Sequence, residues 1–264
     1  MNIFLRELKA NLKSLIIWSV IVILFVSVGV SKFSAYYNNP EMLAILDSMP
    51  PAVLAAFSFE AFNLTTVSGF FGLMFTYFAL LLTIAAAMWG SDIIVKEERD
   101  KTVEFSLTLP VTRSRLVTAK GLAALVNCVA LLLVTWGISL VSARPYEPDA
   151  AFYPYLALMM LALFMMQVIY LAIGIFLGCA MQRYKLVTSV AVSVLLGTYF
   201  LSVISGLSKD LDFLKYFSPF KYFDAGMLLR ESRLEPAFVG LSLAIVLASM
   251  VGAYLTYARR DLYI

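Results

Sequence analysis

Eleven charged residues crowd into residues 92–120: Asp92, Lys96, Glu97, Glu98, Arg99, Asp100, Lys101, Glu104, Arg113, Arg115 and Lys120. On either side the charges stop. Residues 61–91 and 121–143 contain no Asp, Glu, Lys or Arg. What this block can do is narrowed by what the chain lacks. There is no histidine, which removes most general-base, metal-ligand and pH-switch chemistry. Ser–His pairs and H-E-x-x-H metal motifs are excluded with it. No G-x-x-x-x-G-K-S/T phosphate loop occurs, so the chain does not bind ATP by that route. The charged block therefore reads as a handle for a partner, and we expect function to be driven through it.

The elements that must hold this handle are membrane spans. The 264-residue chain is 62% hydrophobic with a mean hydropathy of +0.89. A soluble domain has about 45–50% apolar residues, so the excess must face lipid. A charge at the bilayer centre costs about 2.5–3.5 kcal/mol, which places the uncharged runs in lipid and the block between them in water. Six runs are long enough to cross: residues 15–34, 68–91, 121–143, 155–182, 186–207 and 237–258, each within a few residues of the roughly 17–25 that a span needs. The expected fold is a single all-α polytopic membrane domain over residues 1–264. The first run follows Arg6, Lys9 and Lys13 as a secretory signal does, and is read as a retained anchor.

Thirteen of the twenty basic residues fall on one side of this topology: Arg6, Lys9, Lys13, Lys96, Arg99, Lys101, Arg113, Arg115, Lys120, Arg183, Lys185, Arg259 and Arg260. The positive-inside bias puts the handle and both termini in the cytoplasm. The net charge of +3 carries no expectation of nucleic-acid binding, because these residues flank spans. No span holds a carboxylate, so proton relays and intramembrane aspartyl proteolysis are not expected. Cys128 and Cys179 fall inside apolar runs and should pack as small hydrophobes.

Local signals add detail. Ile3, Phe4, Leu8 and Leu12 recur at helical spacing and predict a short amphipathic helix in the headgroup region before the first span. Asn39-Pro40-Glu41 predicts a helix start in the first outer loop, interrupted by Pro50-Pro51. Ser218-Pro219 predicts a cap between two short external helices before the last span. Their aromatic face (Phe213, Tyr216, Phe217, Phe220 and Phe223) should lie at the outer leaflet. Gly174 and Gly178 form a small-xxx-small pair that predicts close helix packing.

Lys96-Glu97-Glu98-Arg99-Asp100-Lys101-Thr102-Val103-Glu104-Phe105-Ser106-Leu107-Thr108-Leu109-Pro110-Val111-Thr112-Arg113 resembles the membrane subunits of export-class, type-2 ABC transporters. There an acidic span end leads into a short Thr-x-Glu helix, followed by a Leu-Pro-Val-Ser/Thr-Arg turn. The chain departs at Lys101, where the family usually has Gly. Met49-Pro50-Pro51-Ala52 and Tyr216-Phe217-Ser218-Pro219-Phe220 extend the resemblance along the whole chain.

The resemblance implies a permease subunit that pairs with a second permease, identical or related, and docks on separate ATPase subunits. Those subunits would bind the ATP and Mg, so this chain is not itself an enzyme and holds no cofactor. It also implies a plasma or inner membrane of a bacterial or archaeal cell, and a cytoplasmic coupling helix near residues 100–109. Val103, Phe105, Leu107 and Leu109 would bury in the ATPase, with Glu98, Arg99, Asp100, Thr102, Glu104, Pro110 and Arg113 around them and Arg183 and Lys185 as a second contact. The pathway would run along the second and fifth spans at the dimer interface. A non-transporting membrane anchor or immunity subunit, recruiting a soluble partner through the same handle, is the other expectation.

Overall fold

A computed structural model describes residues 3–35, 37, 39, 48, 62–101, 112–207 and 209–260. These residues form eight α-helices and no strand. Six are long and apolar enough to span a membrane: α1 (Ile3–Phe33), α2 (Val67–Arg99), α3 (Arg113–Ala143), α4 (Phe152–Ala180), α5 (Tyr184–Leu207) and α8 (Pro236–Arg259). Two short helices, α6 (Pro219–Tyr222) and α7 (Ala225–Glu231), follow a 3-10 stretch at Lys209–Phe217. The chain is thus an all-α, multi-pass membrane protein. The predicted helices around residues 40–59 and the coupling helix over residues 102–109 lie outside the described residues.

The centre of the bundle is the α2–α4 pair. Of the most apolar stretch of each helix, 67% is buried in α2 and 61% in α4, against 17% in α1, 22% in α5 and 17% in α8. Water cannot drive apolar helices together inside lipid, so close backbone approach must supply the attraction. Gly90 lies against the Leu171 carbonyl, and a Cβ on Gly174 would sit 2.7 Å from the Ala87 carbonyl oxygen. Gly178 meets Ile94 in the same way. The small-residue spacing in α4 therefore packs a helix, as its pattern predicts. Around this pair, α1 packs along α3, α8 along α4 and α5 along α2. The outer helices expose apolar rows, for example Leu243, Leu247, Val251 and Leu255 of α8, at the four-residue step of one helix face.

Polar side chains bridge the helices where apolar packing offers no direction. The Trp89 indole donates to Ser14 Oγ at 2.9 Å, and Ser91 Oγ lies 3.2 Å from Thr188 Oγ1. Buried Gln167 donates to the Cys128 carbonyl at 3.3 Å. Cys128 and Cys179 are themselves buried and free.

Two local expectations need correction. Residues 3–14 are not a separate helix turning at the interface. They continue into the first span within α1, which at 1.5 Å per residue runs about 46 Å, enough for the core and both headgroup layers. The sequence offers no Gly or Pro before Gly29 to break it. Its inward face there is mixed: Glu7 and Asn11 are buried and Ile3, Phe4 and Leu8 pack against the core, while Leu5 and Leu12 are exposed. Before the last span Pro219 does open a helix, but Ser218 does not cap it. Its buried hydroxyl donates instead to the Thr198 carbonyl of α5 at 2.7 Å. The capping falls to Asp224, which accepts from the Met227 amide at 3.1 Å. Phe213, Tyr216 and Phe217 are exposed, whereas Phe220 and Phe223 turn into the core.

Gly174→Ala should force a methyl against α2 backbone that cannot step aside, lowering stability by about 1–3 kcal/mol. Gly240→Ala, where an added Cβ meets nothing within 4 Å, should not lower it and can raise it by up to about 1 kcal/mol through helix propensity. Thermal unfolding in detergent micelles compares the two.

Candidate functional site

The charged handle is in large part helix. α2 continues through Asp92–Arg99, and α3 begins at Arg113, eight residues before its uncharged run. Thr112 starts α3 by accepting from the Arg115 amide at 3.3 Å. At the other rim α2 ends as Lys101 takes a φ of 53°, with the Asp100 and Lys101 amides bonded back to Lys96 and Glu98. That left-handed position is the one where a helix end favours Gly, and here Lys101 occupies it.

Beneath this rim the charges pair across helices. Glu97 lies 2.7 Å from Arg6 of α1 and 3.2 Å from Lys120 of α3, whose side chain is 1% exposed. Glu98 lies 2.8 Å from Arg260, with both side chains at most 7% exposed. Arg260 also donates to the Gly178 carbonyl at the end of α4, at 2.5 Å. Arg113 donates to the carbonyls of Tyr257 and Arg260 at 3.1 and 2.6 Å, closing the last turn of α8, where a cation suits the exposed carbonyls. Glu7 joins the group through Arg6 at 3.0 Å and Lys96 at 3.6 Å. One cluster of ion pairs therefore ties the same-side ends of α1, α2, α3, α4 and α8.

The predicted contact residues divide accordingly. Glu98 and Arg113 are engaged inside this junction. Arg99 and Asp100 are exposed on the rim, with Arg99 held by Asp92 and, at 3.2 Å, by Asp100. Arg183 and Lys185 are exposed in and just after the short α4–α5 turn, close to the Gly178 end that Arg260 grips. Thr102, Val103, Glu104, Phe105, Leu107, Leu109 and Pro110 lie outside the described residues. Arg6 and Arg260 enter the sequence reading only through topology, Lys120 also as the last charge of the handle and Glu7 not at all, yet they form the junction. Lys120 and Arg260 carry one legible signal, a cation at the margin of an uncharged run, whereas Arg6 and Glu7 carry none.

A charge buried this way is tolerable only while its partner remains. Arg260→Met alone strands Glu98 and should cost about 3–5 kcal/mol. The double variant Glu98→Gln with Arg260→Met should recover most of that loss. A double-mutant cycle by thermal unfolding measures the coupling.

The comparisons agree with this architecture. The description "ABC-2 family transporter protein" belongs to a family whose profile matches residues 1–262. No curated protein matches the chain significantly. With six apolar spans, a charged junction at one end and a profile covering nearly every residue, the chain belongs to the ABC-2 family of transporter proteins and is a membrane permease subunit of an ABC transporter.

Proposed function

We propose that this chain is the permease half of an ATP-driven exporter. Two such subunits, identical or related, form a pathway between them, and two separate ATPase subunits bind ATP with Mg and dock on the charged end. The observation that carries this reading is the ion-paired junction at the neighbouring ends of α2 and α3, the two helices that flank residues 102–111 in the chain. α2 and α3 deliver the two ends of that segment, and the junction fastens both helices to α1, α4 and α8. A partner pulling on the segment acts on the whole bundle rather than on a loose loop. Coupling of this kind needs different contacts in the two states of the transporter, and a rigid junction delivers them to distant spans.

The positive-inside bias supports a cytoplasmic position for this end, together with both termini. The clustering of Arg6, Lys96, Arg99, Arg113, Lys120 and Arg260 in space agrees with the side that the loop count assigns them. The membrane is then the plasma or inner membrane. The resemblance to export-class subunits supports outward movement of cargo, along α2 and α5.

Within residues 102–111, apolar side chains inserted into a partner groove should act as hot spots, each costing about 2 kcal/mol or more when truncated. Phe105→Ala and Leu107→Ala should therefore sharply reduce copurification of the ATPase and abolish cargo-stimulated hydrolysis, while expression and membrane insertion stay intact. Wild-type ATPase yield with both variants would favour an anchor that recruits its partner elsewhere.

A further inference from the structure

At the end of the bundle opposite the charged junction, two cavities meet. One, of about 110 Å³, lies between α2, α5 and the short helices, walled by Phe75, Tyr77, Tyr199 and Phe220. The other is a groove of about 420 Å³ formed by the 3-10 stretch, α6, α7 and the start of α8. Lys221 and Asp224 line both. On α2 the inner cavity begins at Leu73 and reaches Ala79, roughly 9–18 Å from the helix start at 1.5 Å per residue. That is the depth of the adjacent leaflet's acyl chains, with the groove at headgroup level.

The charges at the meeting point lack ion pairs among the described residues, although Asp224 accepts from the Met227 amide. Lys221 and Asp224 sit three residues apart, yet no ion pair joins them, and neither has another ion-pair partner among the described residues. Arg230 and Glu235 repeat the arrangement farther along the groove. Asp212 and Lys215, also in the groove, are already paired at 2.6 Å. The groove thus offers two cations and two carboxylates, and its lining charges sum to zero. An apolar occupant would leave Lys221 and Arg230 facing it with no ion pair among the described residues and Asp224 with only the Met227 amide on its carboxylate, and a purely anionic one would face Asp224 and Glu235. A headgroup carrying one charge of each sign satisfies both kinds. The aromatic cavity is somewhat smaller than the roughly 150 Å³ that holds a benzene ring, so it admits a stretch of a single alkyl chain.

We propose that these cavities form one binding site for a zwitterionic amphiphile, its chain among the rings of α2 and α5 and its headgroup held between Lys221 and Asp224. The assignment deepens the exporter reading, since the site lies on the face expected to line the pathway, and it names the cargo class as a zwitterionic lipid or detergent-like molecule.

The test uses a dodecyl phosphocholine carrying a photoreactive diazirine on its chain, with the permease–ATPase complex in an uncharged maltoside detergent and labelled residues mapped by mass spectrometry. Labels should fall within residues 73–79, 199–203 and 220–225. Dodecylphosphocholine at about ten times its apparent Kd should suppress them about tenfold. Dodecyl phosphate, dodecyltrimethylammonium and free phosphocholine should not. Lys221→Gln and Asp224→Asn should each reduce labelling by about the same factor. Asn retains the cap on α7, so the second variant tests the charge without disturbing the fold, and Lys221→Arg should keep wild-type labelling. Equal protection by a singly charged amphiphile or by free phosphocholine would overturn the proposal, as would unchanged labelling in both neutral variants. Copurified ATPase, scored in the same samples, reads the exporter assignment separately.

Discussion

Glu97 and Glu98 stand at the depth where a membrane helix leaves lipid, and neither can remain there charged and alone. An unpaired buried carboxylate costs several kcal/mol, so each must recruit a cation with geometry good enough to offset its desolvation. Glu97 recruits from α1 and α3, while Glu98 recruits from beyond the end of α8, through an arginine that also holds α4. Five helix ends are thereby fixed by two adjacent acids. Hydrophobic matching cannot do this inside a bilayer, where leucine is as content against lipid as against leucine.

The rest of the bundle follows from a second constraint, the close approach of α2 and α4. Glycines at 90, 174 and 178 bring the two backbones together over the inner halves of both helices, directly above the acidic pair. α2 is consequently locked twice, by backbone contact along its length and by charge at its end. α5 lacks such an anchor. It touches α2 through Ser91 and Thr188 and through the outer cavity, and most of its apolar stretch is open to its surroundings. A rigid α2–α4 core flanked by a less embedded α5 is the contrast that the proposed pathway along the α2–α5 face would use.

Much of this was legible in the sequence. Each span appears within a few residues of its predicted place where an apolar run meets a turn, as at residues 184–207 and 236–259. The exceptions are α1, α2 and α3, which extend eight or more residues into charged sequence. Hydropathy reports where a segment partitions, not where its helix stops. Asp92–Arg99 has sound helix formers and no Gly or Pro, so the hydrogen-bond ladder simply continues. The ion pairs were not legible, because Arg6 and Glu97 are ninety-one residues apart and only the fold brings them together. Ser218 shows the limit of a local signal: its hydroxyl had two possible acceptor-donor roles, and a tertiary contact with Thr198 outcompeted the cap.

The charged junction makes the ends of α1, α2, α3, α4 and α8 one mechanical unit. Amide hydrogen exchange on the protein in nanodiscs, comparing wild type with Glu97→Gln, tests it most directly. The account predicts faster exchange not only near position 97 but also in the first turns of α1 and α3, because Arg6 and Lys120 lose their shared partner together, with α5 unchanged. Faster exchange confined to the last turn of α2 would contradict it, showing the ion pairs to be bystanders of a bundle held together by apolar packing alone.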